Sequence, residues 1–156
     1  MAPTNQNADG NLLPNEPTYI VACNGAEARI FASERRFGNW SQLGLLENPG
    51  GTMRDQDRNT DRPGRAFDSF GKGRHAMSPE ESVRDHELQN FAGDISQYLS
   101  KAYTAGQFKQ LVLIAEPTIL GFVRRKLSAP LKRALSFEVP KNPADFDVER
   151  LKSLFK

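Results

Sequence analysis

Apolar residues in the first third of this 156-residue chain fall into short blocks that predict β-strands. Two runs rich in β-branched and aromatic residues, 19–23 and 28–32, flank Asn24-Gly25, and this arrangement predicts a β-hairpin. A third short strand is expected at 42–47, where a following Pro-Gly-Gly turn ends it. These three blocks predict an antiparallel meander.

A long helix is predicted after the polar middle of the chain. Ser78 is placed as its N-cap, Pro79 at its first position and Glu81 where it completes a capping box, and Gly106 is expected to end it. Apolar residues recur at mostly helical spacing on one face, namely Val83, Leu88, Phe91, Ile95, Leu99 and Ala102.

The last third of the chain alternates strands with helices. The continuous apolar run 110–116 is typical of a central strand covered on both faces. Pro117 opens a helix through Leu127, and Ala129-Pro130 predicts a kink or a restart of that helix. A last strand at 136–139 and a C-terminal helix follow, the helix carrying Phe146, Val148, Leu151, Leu154 and Phe155.

The predicted order of elements is therefore β-β-β-α-β-α-β-α. A meander followed by two right-handed parallel additions is typical of the ribonuclease H-like fold, an α/β architecture with a mixed five-stranded sheet and helices on its faces. Residues 1–17 are rich in Asn and Pro and predict a flexible N-terminal tail, so a single domain is expected at 18–156.

Composition narrows the class of protein. Hydrophobic residues at 38% and charged residues at 26% are typical of a soluble globular protein. Cys23 is the only cysteine, which excludes an intramolecular disulfide and a thiolate zinc cluster and fits a reducing compartment. The sequence has neither a signal-peptide pattern nor an apolar run of about 20 residues, so we expect a cytoplasmic protein without membrane insertion.

The residues of the chain give little support for an enzymatic function. Two-metal nucleases of this fold need a carboxylate on the first strand, but that strand reads YIVACN. Glu116 ends the fourth predicted strand, while the acids of the long helix are interpreted as helix-start and solvated-face charges. We therefore expect no enzyme, no catalytic residue and no cofactor, and a metal-dependent nuclease is the least favoured alternative.

The side chains that most often bind zinc or act as nucleophiles are also few. His75 and His86 are the only histidines, and no spacing of further ligands accompanies them, so exposed or loop-anchoring roles are expected and no metal site is predicted. Cys23 is expected to be a small buried hydrophobe, because no histidine can be paired with it.

Basic residues concentrate in the second half of the chain. Residues 101–133 hold seven basic side chains and one acid, a net charge of +6. One interpretation is a solvated helix surface, and the other is a face for an anionic partner such as RNA. The candidate basic surface consists of Arg124, Arg125, Lys126, Lys132 and Arg133.

The polar segment before the long helix contains the stretch DRPGRAFDSFGKGRHAM at 61–77. It can be a cover over a sheet edge, with its charges paired to each other, or a recognition loop whose phenylalanines anchor it while its cations contact an anionic partner. The candidate binding residues of this loop are Asp61, Arg62, Arg65, Phe67, Asp68, Phe70, Lys72, Arg74 and His75.

Three stretches carry a family likeness: CNGAEARIF in the first hairpin, the 61–77 loop, and LVLIAEPTILGFVRRKLS followed by VPKN. They resemble the bacterial host-attachment protein family over Tyr19 to Phe155. That family is similar in architecture to the middle domain of archaeal and eukaryotic peptide-release factors, whose functional loop carries Gly-Gly-Gln. Here the matching position reads GKGRHAM, so the resemblance does not imply peptide release.

The resemblance implies a non-enzymatic cytoplasmic binding protein with an indirect effect on attachment, acting through the long basic loop 54–77. The alternative is a ribosome- or RNA-associated, translation-factor-like domain. Ribosomes or structured RNA are thus the candidate partners, and the sequence leaves the oligomeric state, including a homo-oligomer, open.

Overall fold

The computed structural model describes residues 13–36, 38–49, 79–143 and 147–155, and for residues 79–81 it describes the backbone alone. In this part of the chain, five strands and four helices follow one another: β1 Thr18–Cys23, β2 Glu27–Ser33, β3 Ser41–Glu47, α1 Pro79–Thr104, β4 Gln110–Ala115, α2 Pro117–Lys126, α3 Ala129–Ala134, β5 Leu135–Val139 and α4 Val148–Lys152.

The five strands form one mixed sheet in the order β3-β2-β1-β4-β5. β2 is antiparallel to both β1 and β3, whereas β4 is parallel to both β1 and β5. The antiparallel meander of β1, β2 and β3 and the two parallel strands β4 and β5 are those predicted from the sequence. The ribonuclease H-like α/β fold is therefore confirmed.

The turn between β1 and β2 is built around the side chain of Asn24. Its Oδ1 accepts hydrogen bonds from the backbone N–H groups of Ala26 and Glu27, at 2.8 and 3.0 Å. Gly25 does not adopt positive φ, so the turn is fixed by these side-chain bonds to the following backbone and not by a left-handed glycine. The hairpin is thus confirmed, and the asparagine is the residue that fixes its turn.

Helix α1 ends as its sequence predicts. Gly106 adopts φ of 77°, its N–H donates to the carbonyl of Tyr103, and the N–H of Gln107 donates to the carbonyl of Ala102. This pair of bonds is a Schellman motif, which favours glycine because only glycine adopts positive φ without a Cβ penalty. The predicted capping box at the other end lies outside the described side chains.

The predicted apolar face of α1 is buried with one exception. Leu88, Phe91 and the three later positions of the pattern are at most 7% exposed, but Val83 is 46% exposed. Val83 lies in the first turns of the helix, before Leu88, where the buried part of this face begins. The periodicity therefore predicts the packed face correctly from Leu88 onward.

The sheet separates two hydrophobic cores. On one face, α1, α2 and α3 pack over Val21, Ile30 and Leu113. On the opposite face, Trp40, Leu151 and Phe155 cover Ile20 and other sheet residues. β4 is buried from both sides, as its continuous apolar run predicts.

The segment before β1 is packed, although the sequence assigned it to the tail. Leu13 is 5% exposed, and its carbonyl accepts a hydrogen bond from the Arg36 side chain. The carbonyl of Pro17 accepts bonds from the backbone N–H groups of Lys109 and Gln110. Residues 13–17 therefore belong to the folded part of the chain, and the rest of the predicted tail lies outside the described residues.

Candidate functional site

The nine candidate residues of the 61–77 loop lie outside the described residues. Their role in binding therefore stays a prediction from the sequence. The five candidate residues of the basic surface, by contrast, are all described, and all five are exposed.

Two consecutive helices place these five cations at their C-terminal ends. α2 ends at Lys126, Leu127 is extended, and Ser128 caps α3 by accepting a hydrogen bond from the N–H of Leu131 at 3.4 Å. Leu127 and Leu131 are buried, so the polar residues around them point outward. Neither helix carries an acid in its first turn, and both carry basic residues in the last turn. That position also suits the helix dipole.

Arg124 differs from the other four cations because it has an acidic partner. Its Nε donates to Oε1 of Glu138 on β5 at 2.9 Å, and its Nη2 contacts the same oxygen. The hydrogen bond with Glu138 raises the pKa of Arg124 above its ordinary value. Half of the Arg124 side chain stays exposed, so this pair contributes little to stability, on the order of 0 to 1 kcal/mol.

The remaining four residues, Arg125, Lys126, Lys132 and Arg133, form what we call the cationic surface. Among the described residues, no carboxylate is paired with any of them. The guanidinium carbon of Arg125 lies 4.9 Å from the ring centroid of Phe122, a cation–π contact that restrains this side chain.

A hydrogen bond to α1 holds the backbone beneath the cationic surface. The Ser96 hydroxyl donates to the carbonyl of Lys126 at 2.9 Å. Because Ser96 is only 7% exposed, this bond fixes the end of α2 against the longest helix of the described chain. The four cations therefore project from a rigid support.

Lys101 does not join this surface, although the sequence groups it with the same basic segment. It lines a cleft of about 400 Å³ between α1 and β3, together with Leu46 and Tyr98. The +6 segment is thus divided between different faces of the molecule.

That cleft was missed by sequence reasoning. Its lining comes from β3, from α1 and from the turn after α1, and includes Asp94 and Gln107. Tyr98 reaches across to β3, where a Cβ on Gly44 would stand 2.7 Å from the Tyr98 hydroxyl. In this region the apolar residues of the sequence predict only the strand β3. Their pattern does not indicate what lies beside the strand.

The carboxyl ends of the central strands, where α/β proteins often bind ligands, contain Cys23 and Glu116. The N–H of Glu116 donates to the carbonyl of Cys23 at 3.4 Å. Burial raises the pKa of the Cys23 thiol to about 12, and the charge of Glu116 acts in the same direction. Cys23 is therefore a neutral buried thiol at physiological pH, as the sequence predicts, and a poor nucleophile.

This raised pKa predicts a pH dependence of stability. Above about pH 8.5 the unfolded chain loses the thiol proton while the folded chain keeps it, so stability falls as pH rises toward 12. Between about pH 8.5 and pH 10 we expect the free energy of unfolding to fall by about 2 kcal/mol more than in Cys23→Ala. Urea titrations of both proteins test this, and parallel pH profiles would contradict it.

The described residues contain no group of three or more His, Cys, Asp or Glu side chains that could hold a metal ion. His86 is exposed on α1, as predicted, and His75 lies outside the described residues. None of the helices in the described part of the chain is both long and apolar enough to cross a bilayer.

The fold places the molecule among α/β proteins of ribonuclease H-like architecture. A family model described as "Protein required for attachment to host cells" matches residues 19–154. The chain belongs to this family. The resemblance seen in the hairpin, the loop and the β4–α2 segment is thereby confirmed.

Individual relatives are more distant. The chain is 35% identical over 75 residues to an uncharacterized protein of Rickettsia prowazekii, a match that covers 47% of this chain and 50% of the relative. The crystal structure of the archaeal translation termination factor aRF1 is similar at a TM-score of 0.45 and 15% identity, over 80% of this chain and 30% of that one. The chain thus spans half or less of these proteins, and a likeness at this level says nothing about function.

Proposed function

We propose that this member of the host-attachment family is a non-enzymatic binding protein that recognises an anionic macromolecule through the cationic surface. The observation that carries the proposal is the set of four exposed cations at the ends of α2 and α3, unpaired among the described residues. Cations in the last turn of a helix also interact favourably with its dipole, and the RNA-binding measurements below separate the two explanations.

Structured RNA, including ribosomal RNA, is the anionic partner that we favour. Four cations on a rigid support match a phosphate backbone, which is recognised mainly by charge and position. Arg125 rests against an aromatic ring, a contact that uses none of its N–H groups as donors to an acceptor oxygen, and guanidinium donors suit phosphate oxygens. A polyanion of regular spacing can engage several of these exposed side chains at once, whereas a single small anion engages only one or two of them.

The long loop is a second contributor in this proposal. The cations that the sequence places at 54–77 would extend the contact with the same partner. This part of the proposal rests on the sequence alone, and it is separable from the cationic surface by mutation.

The family description concerns attachment to host cells, and we propose that the effect of this chain on attachment is indirect. A protein that binds RNA inside the cytoplasm would influence attachment through the synthesis of other proteins. Protease treatment of intact cells tests this location. Cleavage of the native protein on intact cells would contradict it.

Glu138→Gln provides a specific prediction, because Glu138 neutralises Arg124 in the folded protein. Removing the carboxylate frees a fifth cation beside the other four. The slope of log affinity against log salt concentration should become steeper by about 0.7 to 0.9, and RNA binding should tighten several-fold at low salt. Fluorescence anisotropy with a labelled RNA hairpin measures both quantities. An unchanged slope would place the RNA elsewhere.

Sedimentation of native lysates tests the proposed partner directly. At low salt we expect the protein to sediment with ribosomal particles, and at high salt it should return to the top of the gradient, because counterions compete with phosphate contacts. Absence from ribosomal fractions at low salt would argue against ribosomes as the partner. A lysate treated with ribonuclease is the control.

A further inference from the structure

β3 is the outermost strand of the described sheet, and no described strand pairs with its outer edge. Exposed edges are normally protected by lysine, proline or a covering element. β3 contains neither lysine nor proline, and its only charged residue is Glu47 at its end. Leu43 and Leu45 are 46% and 43% exposed, which is unusual for an edge that contacts only solvent.

The cleft beside this edge has opposite charges at its two ends. Leu88 on α1 lies 3.4 Å from where a Cβ on Gly25 would stand, so the helical turn at Leu88 lies near the β1–β2 turn and the end of β3. The Tyr19 hydroxyl donates to Gln107 at 2.8 Å, so α1 ends near the start of β1 and of β3. Asp94 therefore lies toward Glu47, and Lys101 lies toward Ser41.

Asp94 and Lys101 are both exposed, and seven helical positions separate them by about 10 Å along the axis. Tyr98 lies between them on α1, and Leu46 supplies apolar surface from β3. An extended peptide beside β3 would direct every second side chain toward this cleft. Two charged side chains of the peptide about four positions apart would match the spacing of Asp94 and Lys101, because long charged side chains can make up the difference in distance.

We infer that β3 receives an added strand from a partner protein, a peptide segment that pairs antiparallel with its outer edge. In that orientation the peptide presents a basic residue to Asp94, an apolar residue to the middle of the cleft and then an acidic residue to Lys101. Backbone hydrogen bonds to the edge give affinity, and the two charges select direction and sequence.

A second copy of this chain fits the edge less well. Its own β3 contains no basic residue, so strand-to-strand pairing would leave Asp94 without an opposite charge. The charge pattern of the cleft therefore favours a different protein as the source of the added strand.

Two synthetic peptides test the inference: Thr-Lys-Thr-Val-Thr-Glu-Thr, and the same peptide with Lys and Glu exchanged, each carrying fluorescein. We expect the first to bind at least about ten times more tightly, by anisotropy at low salt. The double variant Asp94→Lys with Lys101→Asp should invert this preference. It keeps the net charge of the protein, and both positions are exposed, so it should fold as the wild type does.

Three results would overturn the inference. They are equal binding of the two peptides, no binding of either peptide, and a preference that the double variant leaves unchanged. A concentration-dependent dimer in sedimentation equilibrium that Leu45→Lys dissociates would also overturn it, by assigning the edge to a second copy. None of these measurements involves RNA, so the inference can fail while the proposed function stands.

Discussion

Replacing Arg125, Lys126, Lys132 and Arg133 together by glutamine is expected to weaken binding of a structured RNA on the order of 100- to 1,000-fold at about 0.1 M salt. Each of these cations is exposed, and none has a carboxylate partner among the described residues. Each can therefore release one counterion from RNA, and the four losses accumulate. Stability should change little, because none of the four side chains contributes to the cores.

A matched control distinguishes this surface from a general effect of charge. Arg35, Arg84, Lys109 and Lys141 are exposed on other parts of the described chain, and replacing these four by glutamine gives the same change in net charge. We expect this control to retain RNA affinity within a few-fold of wild type. Equal losses in the two quadruple variants would mean that overall charge, and not the cationic surface, controls binding.

Leu131→Ala is expected to lower the free energy of unfolding by about 2 to 5 kcal/mol. Leu131 is fully buried and packs α3 into the core between the helices and the sheet. α3 has only six residues, so it depends on this contact more than on its own helix propensity. Urea titration followed by circular dichroism measures the loss.

Val83→Ala is the control for this second prediction, because it also shortens an apolar side chain on a helix. Val83 is 46% exposed, so its truncation should change stability by no more than about 0.5 kcal/mol. If the two variants lost similar stability, the packing assigned to α3 would be wrong.

Most of the fold could be predicted because each element carries a local signal. The run at β4 is apolar on both faces, and it occupies the sheet between two parallel neighbours. Ala129-Pro130 predicts the restart that separates α2 from α3. The packing of Leu13 could not be predicted, because a single leucine in a polar segment has no period and its burial depends on distant partners.

The basic residues could be located from the sequence, but not the face that each occupies. The partnership of Arg124 with Glu138 depends on how α2 crosses β5, which no local pattern encodes. Lys101 belongs to the same +6 segment of the sequence as the candidate surface, whereas the packing of α1 places it beside β3. The cleft beside β3 likewise arises only when separate elements pack together.

The salt dependence of RNA binding tests the central claim most directly. With a labelled RNA hairpin, the slope of log affinity against log salt concentration should be steeper by about 3 in the wild-type protein than in the glutamine variant of the cationic surface, as expected for four phosphate contacts. Any slope that the variant keeps reports contacts made elsewhere, such as those proposed for the long loop. Equal slopes in the two proteins would contradict the assignment of an anionic partner to the ends of α2 and α3.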